Sequence, residues 1–155
     1  MVALGEILNA NSIIPELPAS SKKQVLQDLA KRAAKETGLA AQALFDALLE
    51  RERLGSTGVG HGIAIPHGTL KELTRIYGFF ARLEKPIDFD AADDQPVDLI
   101  FVLLAPENAG ADHLKTLTKL SRIFRDEATC NRLRELDSPE GLLHVFTGNA
   151  ASFAA

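Results

Sequence analysis

Residues 97–106 read VDLIFVLLAP, and from Leu99 to Ala105 no polar side chain interrupts the run. A strand with one face in water alternates polar and apolar residues. A run that is apolar at both parities belongs to a central strand covered on both faces. It is also far shorter than the ~20 residues a membrane span needs. Working outward, "RIYGFFARL" (75–83) is rich in aromatic and β-branched residues and reads as a second strand. "IAI" (63–65) reads as a third, ending at Pro66, and Ile13-Ile14 before Pro15 as a short fourth. Ser20 or Ser21 caps a helix with Val25, Leu26, Leu29 and Ala33 on one face and Gly38 as its stop. Leu44, Phe45, Leu48 and Leu49 form the stripe of a second helix, which the charged "ERER" ends near Arg53. "LGSTGVGHG" (54–62) reads as a glycine-rich loop. After the central strand, Asp112 is the expected cap of a helix carrying Leu114, Leu117, Leu120, Ile123 and Phe124. Asp126 is the expected cap of another with Leu133 and Leu136, and "SPEGLLHVF" (138–146) opens with a Ser-Pro-Glu start. Helices before and after a set of strands predict one α/β domain over 1–155. Its mixed sheet, of about five strands, is flanked by helices on both faces.

Composition narrows the function classes. The chain is 46% hydrophobic and 25% charged, with a net charge of -4, and no basic patch of the kind nucleic-acid binding needs stands out. Cys130 is the single cysteine, so no internal disulfide forms, which fits a reducing cytoplasm. The opening residues lack the basic and long apolar segments of a secretory signal. A cytoplasmic chain with no membrane insertion is expected. The closing "GNAASFAA" (148–155) is expected to be loose.

The chemistry gathers around "GHGIAIPHGT" (60–69). Pro66 keeps Ile65 extended and offers no N–H to a ladder, so His67 is expected at the end of a strand on a stiff backbone. Gly68 permits close approach of another backbone or a turn through positive φ. A neutral imidazole is a competent nucleophile near neutral pH once its tautomer is fixed. His113, in the first turn of the helix after the central strand, stands where open α/β sheets collect ligands and where a helix terminus favours an anion. The hydroxyls of Ser56 and Thr57 can donate to an oxyanion. The plainer alternative is a half-buried histidine that merely ends a strand.

Other motifs fit poorly. "GSTGVGHG" lacks the lysine of a Walker loop, and its glycines miss the dinucleotide spacing because position 63 is Ile. A zinc site from His61, His67, His113 and Asp112 has no compact ligand spacing, so no metal is expected. No Gly-x-Ser-x-Gly is present for a serine nucleophile. Cys130 reads as core, His144 as structural, and His61 as a solvated side chain at the rim of the site.

"LLERERLGSTGVGHGIAIPHGTL" resembles the active-site segment of the fructose/mannitol-type (type 2) IIA domains of the bacterial phosphoenolpyruvate-dependent phosphotransferase system. "IDFDAADDQPVDLIFVLLAP" and "HLKTLTKLSRIF" continue the likeness, which covers about residues 5–147 and looks most like the nitrogen-regulatory type. Ala64, Pro66, His67 and Gly68 fall on the signature, with Glu52 and Gly60 upstream; His61 departs from it, since the nitrogen type often carries Asn there. The resemblance implies that His67 is phosphorylated through Nε2, that His113 is the second active-site histidine, and that Arg51 is the active-site arginine, with Arg53 as its neighbour to test. It implies a phosphorelay component rather than a stand-alone turnover enzyme. The donor is a histidine phosphocarrier protein, and the targets are regulated ones such as potassium transporters or sensor kinases. The alternative is a sugar-specific IIA that passes phosphoryl to a IIB domain. No cofactor is expected, because the donor is already a phosphohistidine.

Overall fold

A computed structural model describes residues 3–148; residues 149–155, most of the tail expected to be loose, lie outside the described residues. The strands are β1 (Ile13–Leu17), β2 (Gly58–Gly60), β3 (Ile63–Ala64), β4 (His67–Leu70), β5 (Tyr77–Ile87) and β6 (Val97–Pro106). The helices are α1 (Leu4–Ile7), α2 (Lys22–Thr37), α3 (Ala41–Arg53), α4 (Ala111–Arg125), α5 (Glu127–Glu135) and α6 (Pro139–Thr147). The sheet runs β1-β5-β6-β3-β2, with β4 continuing beside β6 where β3 leaves off. It is mixed: β1 is parallel to β5, β5 antiparallel to β6, both β3 and β4 parallel to β6, and β2 antiparallel to β3.

β6 is the central strand its sequence predicts. Ile100, Val102 and Leu104 point into one core with Val25, Leu26 and Leu29 of α2 and Leu44 and Leu48 of α3. Leu99, Phe101 and Leu103 point into a second core with Leu120 and Phe124 of α4, Leu133 of α5 and Phe146 of α6. Burial on both faces is why this strand carries no alternation. Cys130 lies in the second core, whereas His144 is exposed on α6.

The sheet has six strands rather than about five. The added pieces are β2, inside the stretch read as a loop, and β4, which restarts pairing after Pro66. Neither carries a long apolar alternation; both are held by long-range partners. β5 runs on past the predicted Leu83 to Ile87, with its register against β6 shifting between Arg82 and Ile87. Four helix signals match: Ser21 caps α2, Gly38 (φ 77°) ends it, Asp126 caps α5 and Ser138 caps α6. The expected Asp112 cap does not. Gly110 (φ 48°) caps α4, and Asp112 lies in the first turn. No helix among the described residues is long and apolar enough to cross a membrane.

Candidate active site

β3 and β4 form one interrupted line along β6. Between them Ile65 gives its N–H to Thr57 O (3.1 Å) and Pro66 accepts the Leu103 N–H of β6 (2.9 Å), so both residues stay tied to the neighbouring segments although neither belongs to a strand. His67 therefore opens β4 instead of ending a strand, which corrects the sequence expectation; pairing resumes opposite Leu103.

The carbonyl of Ile65 determines the tautomer. His67 Nδ1 lies 2.9 Å from Ile65 O. A carbonyl only accepts, so Nδ1 bears the proton and Nε2 presents its lone pair. Arg51, in the last turn of α3, donates from Nε to that nitrogen at 3.1 Å and from Nη1 to Gly55 O at 2.8 Å. Burial holds the His67 pKa below its ordinary value. The Ile65 carbonyl pulls it back up, the Arg51 charge lowers it further, and Glu52 raises it slightly. The ring is thus neutral at pH 7, with its free lone pair directed at a guanidinium.

His113 is the third residue of α4. Its ring meets that of His67 edge-on, with centroids 5.8 Å apart and planes at 74°. Its Nε2 is buried and has no hydrogen-bond partner among the described residues. Burial, then the neighbouring His67, lowers its pKa too. A buried ring nitrogen without a partner is costly unless a ligand satisfies it part of the time. Three groups far apart in sequence, Arg51, His67 and His113, thus converge on one half-buried spot.

The other named residues have different tasks. A Cβ on Gly68 would stand 3.3 Å from the Ala47 backbone C and O, so this glycine lets β4 lie against α3 and has no positive φ. The close approach is to the protein's own helix. Ser56 donates its hydroxyl to Phe89 O at 2.6 Å, and the Thr57 hydroxyl donates to the Glu52 carboxylate. Both hydroxyls have internal acceptors. His61 sits at φ 58° in the β2–β3 turn. Its N–H goes to Asp93 and its carbonyl accepts from Arg134. It lines a cavity of about 680 Å³ with Phe124, Cys130 and Arg134, not the space around His67. Among the described residues no group of three His, Cys, Asp or Glu is arranged to hold a metal.

Glu52, which the sequence places on the signature without a role, is a buried carboxylate, 7% exposed. It accepts Thr57 N–H at 3.1 Å and pairs with Lys22 at 2.8 Å. One signal was available: Glu52 is four residues after Leu48, on the apolar stripe of α3, where a carboxylate needs partners.

The site can hold a tetrahedral anion. A charged fork, a nucleophilic nitrogen and an unpartnered ring nitrogen would surround it. The family model described as "Phosphoenolpyruvate-dependent sugar phosphotransferase system, EIIA 2" matches residues 6–148. A nitrogen regulatory protein of Bradyrhizobium diazoefficiens is 54% identical over 90% of this chain and 92% of its own. One of Escherichia coli is 45% identical over 93% of this chain and 89% of its own. The crystal structure of the nitrogen regulatory protein IIA-Ntr from Neisseria meningitidis superposes with a TM-score of 0.90, at 38% identity over 93% of this chain and 99% of that one.

Proposed function

This chain belongs to the EIIA 2 family of the phosphoenolpyruvate-dependent sugar phosphotransferase system, and from that premise we propose that it is a phosphoryl-accepting regulatory protein of the nitrogen type. His67 takes a phosphoryl group from the phosphohistidine of a small carrier protein. The phosphorylation state then controls regulated partners of the kind the resemblance implies, potassium transporters or sensor kinases. One observation carries the reading: the His67 Nε2 lone pair, with its tautomer fixed by Ile65, faces Arg51, and the ring that bears it meets edge-on the ring of His113, whose Nε2 has no partner among the described residues.

In the step itself, Nε2 attacks phosphorus in line. The Nε2–P bond forms as the N–P bond to the carrier's imidazole breaks, and that bond's electron pair stays on the carrier nitrogen. The proton of His67 stays on Nδ1 throughout, donated to Ile65 O. Arg51 moves from the lone pair to the equatorial oxygens as phosphorus replaces its partner, and His113 donates its Nε2–H to them. No metal or nucleotide enters this balance.

Incubating the chain with phosphoenolpyruvate and the relay proteins, then mapping acid-labile phosphate, tests the assignment. Label is expected on His67 alone, and His67→Ala is expected to melt cooperatively and stay unlabelled. Label on a folded His67→Ala would place the acceptor elsewhere. Onward transfer to a purified fructose- or mannitol-type IIB domain would replace regulation with sugar transport.

A further inference from the structure

We infer that Glu52 is a positioning residue for phosphoryl transfer, aiming Arg51 through the loop that follows α3. The inference rests on His67 being the acceptor. Arg51 and Glu52 are successive residues and leave the helix in different directions: one reaches the His67 ring, the other points inward. What fixes the Arg51 fork besides His67 is the Gly55 carbonyl, 2.8 Å from Nη1. Gly55 lies in a four-residue link, and that link is tied at both ends. At the near end Gly55 N–H closes onto Glu52 O (3.1 Å). At the far end Thr57 gives both its backbone N–H and its hydroxyl to the Glu52 carboxylate. One side chain thus clamps the loop back onto the helix from which Arg51 projects.

The clamp has its own counter-charge. Lys22, at the start of α2, reaches Glu52 at 2.8 Å and lies 4.9 Å above the Phe89 ring. The Phe89 carbonyl in turn receives the Ser56 hydroxyl, so the middle of the loop is pinned to the same support. A buried carboxylate costs stability unless its partners are complete. Here the partners are Thr57, on the loop that carries Gly55, and Lys22, at the start of the neighbouring helix α2. The arrangement suits a guanidinium that must leave the lone pair and then find phosphoryl oxygens within a few tenths of an ångström.

The test uses the full chain with Glu52→Gln, Thr57→Val and Thr57→Ser, each alone and combined with Arg51→Ala. In the unphosphorylated protein the Arg51 Nε–H resonance reports the bond to His67. It is expected to be sharp and displaced in the wild type and in Thr57→Ser, and lost or broadened in Thr57→Val and Glu52→Gln. Phosphorylation rates of the latter two are expected to fall by about tenfold or more, as small misplacements of catalytic groups do, while in the Arg51→Ala background the same changes alter the rate less than about twofold. An unchanged Nε–H resonance in the folded variants, or rate losses that multiply fully with Arg51→Ala, would overturn the inference. Thr57→Val, close in shape to Thr, carries the test if Glu52→Gln fails to fold. A wild-type chain not labelled at His67 defeats the acceptor reading instead, and the resonance, which needs no phosphoryl donor, still decides the clamp.

Discussion

Replacing Gly68 with Ala tests whether the spacing between β4 and α3 sets the site. The new Cβ would stand 3.3 Å from the Ala47 carbonyl carbon and oxygen and 3.4 Å from its Cβ. Comfortable carbon contacts lie near 3.5–4.0 Å, so strand and helix must part by roughly 0.3–0.5 Å. The atoms in the way are backbone and cannot rotate aside. Ala47 is one helical turn before Arg51, on the same side of α3. The displacement therefore reaches the guanidinium directly and lengthens the 3.1 Å Nε–Nε2 bond to about 3.5 Å, the edge of hydrogen bonding. Overpacking of this size costs about 1–2 kcal/mol, or roughly 2–8 °C in melting temperature for a domain of this length. Phosphoryl acceptance should fall by about tenfold. Calorimetry and the initial rate of His67 labelling by the phosphocarrier measure the two effects together. A Gly68→Ala protein that melts several degrees lower yet is labelled at the wild-type rate would show that α3 spacing does not govern the site.

Two further outcomes are expected. His67 should titrate below the ~6.5 of a free histidine, because burial and Arg51 both oppose its charged form. A depressed folded pKa means that stability from the neutral ring is present above ~6.5 and is lost as pH falls from there towards the folded value, so labelling should hold steady from pH 8 to 6.5 and drop only below. A midpoint at or above 6.5 by NMR would contradict this. His113→Ala should slow labelling by about tenfold or more through loss of one donor while shifting the melting temperature little, since its Nε2 makes no hydrogen bond among the described residues of the resting protein; an unaltered rate would remove it from the site.

The strands and helices that sequence predicts best are those whose burial is written locally. The 97–106 run, the stripes of α2 and α3, and the caps at Ser21, Asp126 and Ser138 each answer to neighbours within a few residues. The pieces it misses answer to distant ones. β2 exists because Gly58 and Gly60 pair with β3, and the Gly58 carbonyl also receives Ala92 N–H. β4 exists because β6 offers Leu103 to Pro106 beyond the proline break. The site divides the same way. Pro66 before His67 signals a stiffened histidine, but the partner that fixes the tautomer is Ile65 O, a backbone atom with no side-chain signature. Likewise Ser56 and Thr57 look like anion donors as residue types, and only the fold shows their hydroxyls turned to Phe89 and Glu52.

On the proposed reading, the resting and phosphorylated proteins differ chiefly in charge. Before transfer, a guanidinium covers a neutral imidazole, and the local charge is positive. Afterwards the phosphoryl group brings about -1.5 to -2 charges, more than the single positive charge of Arg51 cancels. The sign of the site inverts. Because the three groups are half-buried, solvent screens that inversion less than it would on an open surface. Rigidity adds to the effect: β4 packs on α3 without room for a methyl group at Gly68, and the loop after α3 is clamped by Glu52, so little backbone motion is available to hide the new charge. A partner that seats on the resting site then meets a repulsive charge at a fixed place, which is a sufficient physical basis for a switch that needs no refolding.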